Sequence, residues 1–142
     1  MKHVNDSTGK AMPVKRTPIN PWPWSINLGF DQAQVIEGHR RQLVCSGQDA
    51  VDADGNPQHP GDMAAQLELA LDNLEAVLAA ADMTLANVVR LNVYTTDVGE
   101  YLKHFASLTN RFGKSRFATT LLGVAQLPAP QLLVLLEATA VD

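Results

Sequence analysis

One cysteine, Cys45, stands in a chain of 142 residues. That excludes an intramolecular disulfide framework and any zinc or iron–sulfur centre built from several thiolates. A reducing, cytoplasmic setting is the expectation that follows. Long apolar runs are also missing: a run such as residues 132–136 falls far short of the roughly 18 needed to cross a bilayer. The start, Met1 to Thr8, is polar where a secretory signal needs an apolar stretch. No membrane partner is expected. Basic excess is lacking as well, since 11 Lys and Arg against 15 Asp and Glu leave a net charge of -4. Phosphate-backbone binding has nothing from which to draw its electrostatic term, so nucleic acid is not an expected partner. His3, His39, His59 and His104 form no i, i+4 pair, which gives no metal site, and neither a phosphate cradle nor a nucleophile elbow occurs. No cofactor is expected.

What is present is 46% hydrophobic content, enough for one self-sufficient core. Residues 1–24 hold Pro13, Pro18, Pro21 and Pro23 around Trp22 and Trp24 and read as an extended arm, disordered over residues 1–10. Two indoles in such an arm need a surface to cover. Residues 25–142 read as a single domain. Within it, residues 33–36 and 42–45 look like strands separated by Glu37-Gly38-His39, a hairpin pattern.

From Asp62 onward, Met63, Leu67, Ala70, Leu71, Leu74, Leu78 and Ala81 recur at spacings of three and four, which predicts a helix with Asp62 as its N-cap. At residues 88–95 the period changes to two, placing Val89, Leu91 and Val93 on one face and Arg90, Asn92 and Tyr94 on the other. Tyr101, Phe105, Leu108 and Phe112 mark a second helix, and residues 117–125 and 132–141 are β-rich segments joined by Leu127-Pro128-Ala129-Pro130. The order predicts an α+β domain with two helices on one face of a sheet. Residues 132–136 are apolar on both strand faces, so the second face is expected to meet another subunit.

Chemistry is sparse. Glu137 is the one charged residue in residues 132–141, either a buried acid or base or a strand-end carboxylate reaching solvent. Gly47, in Ser46-Gly47-Gln48 after a strand, can expose backbone amides to a ligand or simply make a turn. Cys45 reads as packed rather than nucleophilic. The Arg90, Asn92 and Tyr94 row lines either a polar cavity or a solvated or intersubunit face, the second being the favoured reading.

Taken together, these pieces resemble the Rid family, also called the YjgF or reactive intermediate deaminase family, from Gly29 to Val141. The carriers are Gly29-Phe30-Asp31-Gln32-Ala33, Ser46-Gly47-Gln48, Ala65-Gln66 with Leu71-Asp72-Asn73-Leu74, residues 88–97, Val124-Ala125-Gln126-Leu127-Pro128 and Leu136-Glu137-Ala138-Thr139-Ala140. The resemblance implies a chorismate-mutase-like α+β fold, with a mixed six-stranded sheet and two helices on one face, assembled as a homotrimer with small-molecule pockets at subunit interfaces. It also implies hydrolysis of imines or enamines to ketones and ammonia. The family's carboxylate-binding arginine falls on Thr119 here, its tyrosine on Phe30 and its helical asparagine on Phe105, while the glutamate credited with positioning water is Glu137 and the substrate-contacting glycine is Gly47. Arg116 is a doubtful substitute for the arginine, since its side chain is expected on the opposite sheet face. The expected activity is therefore hydrolysis of a substrate without an α-carboxylate, with Glu137 acting on water, Gly47 donating a hydrogen bond, and Phe30, Phe105 and Thr119 shaping the pocket. The alternative is a non-catalytic metabolite-binding or partner-regulating trimer.

Overall fold

The computed structural model describes residues 14–142; the tail expected to be disordered, residues 1–10, lies outside them, as does His3. Seven strands and three α-helices follow in the order β1 (Lys15–Ile19), a 3-10 helix (Pro23–Leu28), β2 (Ala33–Glu37), β3 (Gln42–Val44), β4 (Gln48–Asp49), α1 (Met63–Ala80), a 3-10 turn (Leu85–Asn87), β5 (Val88–Thr95), α2 (Val98–His104), α3 (Ala106–Phe112), β6 (Ala118–Gly123) and β7 (Val134–Val141). The main sheet runs β3-β7-β5-β6, with β4 also on β7; β5 and β6 are parallel and the other pairs antiparallel. The α+β class stands, but the strands divide as five in this sheet and two, β1 and β2, in a separate pair. Just ahead of β2, Asp31 makes a parallel bridge to Ala118 of β6.

Helix α1 is capped as its sequence predicts: the Asp62 carboxylate accepts from the Ala65 amide at 3.0 Å. Its buried stripe of Met63, Leu67, Ala70, Leu71, Leu74 and Leu78 covers one face of the sheet. Gln66, fully buried, donates to the carbonyls of His59 and Gln131 and accepts from the Leu133 amide at 2.8 Å, which fixes where β7 begins. Arg111 on α3 pairs with Glu68, Asp72 and Glu75 of α1, tying the helices together along their half-exposed edge.

Three expectations are corrected. Residues 33–36 and 42–45 do not form a hairpin: β2 pairs with β1, Ile19 opposite Ala33, while β3 pairs with β7, Gln42 opposite Val141. Pro18 is tolerated because β1 has a partner on one side only, in a two-stranded pair. Within the expected arm, β1 is paired structure, and the 3-10 helix Pro23–Leu28 runs across residue 24. The expected second helix is two, breaking at Phe105. In β5 a register shift between Val88 and Arg90 is a bulge that buries Val88 where Val89 was expected.

The sheet face away from α1 carries Arg90, Asn92 and Tyr94 of β5 beside Leu135, Glu137 and Thr139 of β7. These residues are half-buried, except Arg90, which is exposed. Arg16 anchors the β1–β2 pair: its guanidinium donates to the carbonyls of Ala86, Val88 and Arg116 and to Gln34. Burial lowers its pKa, and the charge of Asp31 opposes the shift.

Candidate functional site

The five nominated residues fall into two clusters. Thr119 is paired with Leu91, whereas Glu137 is opposite Asn92 and Asn92 is paired with Thr120. Adjacent strand positions point to opposite faces, so Thr119 looks toward the helices and Glu137 toward the open face.

On the helix side, Phe30, Phe105 and Thr119 line a cavity of about 320 Å³ between the 3-10 helix, α2, α3 and the β5–β6 edge. Phe30 is placed from both sides. Gly29 before it takes φ +88°, left-handed backbone suited to glycine, and Asp31 after it is buried and accepts from Asn20 and Gln34 at 2.9 Å. Trp24 meets Phe30 edge-on, with ring centroids 5.8 Å apart. The Thr119 hydroxyl donates to the Leu91 carbonyl at 2.6 Å, so its proton is committed within the sheet. Arg116 donates to the Ile26 carbonyl at 3.2 Å and is not among the cavity's lining residues.

On the open face, Glu137 Oε1 accepts from Asn92 Nδ2 and from the Tyr94 hydroxyl, each at 3.0 Å. The Glu137 hydrogen bond, aided by burial and the carboxylate charge, raises the pKa of the Tyr94 phenol. Asn92 Oδ1 is buried with no partner among the described residues, an acceptor awaiting a donor. Arg90, two residues along β5, donates to Thr120 Oγ1 at 3.3 Å. Gly47 belongs with this cluster: a Cβ there would sit 2.4 Å from Leu135 Cδ2, and Leu135 shares its strand face with Glu137. The close approach requires glycine.

Cys45 is buried, and burial pushes its thiol pKa up, the opposite of what a nucleophile needs. Among the described residues no three His, Cys, Asp or Glu side chains gather as a metal cluster, and no helix is long and apolar enough to cross a membrane.

Four further residues belong to the two clusters. Trp24 was assigned to the arm but walls the cavity. Tyr101, one of the apolar markers of the expected second helix, lines the cavity as well. Asn92 and Tyr94 were seen as a row, yet their partner Glu137 lies 43 to 45 residues away in sequence, and no local pattern gives that register.

A mixed sheet with helices on one face, an aromatic cavity on that side and a hydrogen-bonded carboxylate on the other defines an α+β small-domain class. Residues 29–142 match the family described as Endoribonuclease L-PSP. A Rid-family protein of unknown function from Yersinia pestis, YyfB, is 31% identical with a TM-score of 0.81, covering 92% of this chain and 100% of that one. A Mycobacterium tuberculosis member of the YjgF family is 30% identical with a TM-score of 0.62, over 92% and 100% of the two chains. A RutC family protein of Pyrococcus horikoshii is 28% identical over 123 residues, 87% of this chain and 88% of its own. The chain belongs to the Rid family.

Proposed function

We propose that the chain works as a homotrimer whose small-molecule site is shared between copies: the aromatic cavity of one protomer opens toward Glu137 and Gly47 of the next. The observation that carries this reading is the division of Phe30, Phe105 and Thr119 from Glu137 and Gly47 by the thickness of the sheet. A single copy cannot apply both clusters to one molecule, whereas head-to-tail packing that closes into a ring can. Exposed apolar groups favour such contact on both surfaces. Trp24 and Leu102 are 57% and 53% exposed at the cavity, while Val44 on β3 is 74% exposed.

The reaction that suits this site is hydrolysis of an imine or enamine lacking an α-carboxylate. Thr119 offers no cation to a carboxylate. Glu137 and the unpartnered Asn92 Oδ1 are acceptors suited to water and to an N–H group. Water held by Glu137 adds to the C=N carbon. One water proton passes through the carboxylate to nitrogen, giving a carbinolamine; its hydroxyl proton then follows to nitrogen as the C–N bond breaks and the C=O bond forms, and ketone and ammonia leave. No metal or other cofactor enters this reading, which places the protein in the cytoplasm. The ribonuclease label attached to the matched family draws no support from a chain of net charge -4.

The test is ammonia release from a panel of imines generated in place, with and without an α-carboxylate. Turnover confined to those without one, and abolished by Glu137→Gln in an intact trimer, is the expected result. No release from any imine would leave the non-catalytic metabolite-binding trimer as the reading.

A further inference from the structure

We propose that the cavity holds the flat, uncharged ring of an aromatic ligand and that Tyr101 reads one hydrogen-bonding group on it. This rests on the reading of the cavity as a small-molecule site and names the class of molecule that enters.

At about 320 Å³ the cavity is within the range of small-molecule sites. Its walls include Trp24, Phe30, Phe105, Phe112 and Phe117, with Trp24 edge-on to Phe30 and the Phe112 and Phe117 rings 4.4 Å apart. Rings gain from packing against ring faces and edges beyond simple burial. No charged side chain is among the lining residues, so an anionic ligand would be stripped of water without compensation.

The polar groups narrow the choice. Thr109 donates to the Ala106 carbonyl and Thr119 to the Leu91 carbonyl, which commits both protons. Ser115 is half-buried. Tyr101 is 5% exposed and lines the cavity. Burial holds that phenol neutral, its pKa pushed up to about 12. A neutral phenol in the cavity wall can donate to, or accept from, one polar group on a ligand. Held this way, the ring would lie in one copy's cavity with its reacting substituent at the mouth facing the next copy.

The test is calorimetric titration of the full chain with three probes: indole, indene, which replaces the indole N–H by CH2, and indole-3-carboxylate. Indole is expected to bind, and the carboxylate at least about tenfold more weakly. Tyr101→Phe, checked for folding by circular dichroism, should weaken indole about fivefold and leave indene within about twofold. The inference is overturned if neither indole nor indene saturates the protein, if the carboxylate binds as tightly as indole, or if Tyr101→Phe weakens indole and indene alike. The same titration on Glu137→Gln separates the two proposals. Indole binding with no imine turnover by the unmodified protein keeps this inference and rejects hydrolysis. Turnover of aliphatic imines with no indole binding does the reverse.

Discussion

Asn92 donates to Glu137 Oε1 at 3.0 Å across the β5–β7 pair, and Tyr94 binds the same oxygen. Both bonds end on one carboxylate oxygen, which leaves Oε2 as the atom for a water. Glu137 is therefore a held carboxylate, unlike a strand-end glutamate free to sample solvent. Because its hydrogen bond and charge raise the Tyr94 phenol, Glu137→Gln should let Tyr94 ionise at lower pH while Tyr101 stays near 12. The chain has two tyrosines, so titration by tyrosinate absorbance resolves them; an unmoved Tyr94 would break the assigned contact.

Tyr101 gives a stability prediction. Its proton is held more tightly in the folded chain, about 12 against an ordinary 10.0. The stabilisation is fully present below pH 10 and is lost as pH rises through about 12, an effect of ~2–3 kcal/mol. Urea midpoints should fall across that window in the unmodified protein, and Tyr101→Phe should flatten the fall. A steep fall in the variant would assign the alkaline transition to another group.

Thr119→Arg restores a cation at the family's arginine position but sets it among Phe30 and Phe105 and removes the bond to the Leu91 carbonyl. The expected cost is about 2 kcal/mol of stability. Weak pyruvate binding should appear by calorimetry with little or no imino-acid turnover. Strong pyruvate binding by the unmodified protein would mean that another cation already serves.

Light scattering at micromolar concentration should return about three times the chain mass. A stable monomer would remove the shared site altogether.

Local patterns disclosed what local physics decides. The α1 stripe, the Asp62 cap and the alternation of β5 each follow from side-chain spacing and are present in the structure. Pairing over distance is not written locally. Strand β1 was masked by Pro18, whose missing N–H signals a non-strand unless the residue is known to lie on an edge, and the partner of β2 was mistaken for its sequence neighbour β3. The bulge after Val88 changed a face without changing the composition of the strand. The break at Phe105 is invisible in the apolar spacing, because Tyr101, Leu108 and Phe112 keep their inward positions on either side of it. At the site, residue types pointed to Glu137 and Gly47, and only strand register showed that they face away from Phe30, Phe105 and Thr119.

Mixed assembly tests the shared site most directly. Glu137→Gln keeps the cavity intact, and Leu108→Trp fills it while keeping Glu137; each variant alone should release no ammonia from an imine that the unmodified protein hydrolyses. Unfolded together in equal amounts and refolded, they should regain about a quarter of the unmodified rate, since a site needs an open cavity from one chain and a glutamate from its neighbour, each present half the time. A mixture as inactive as either variant alone would show that both groups must come from one copy, and would contradict the account.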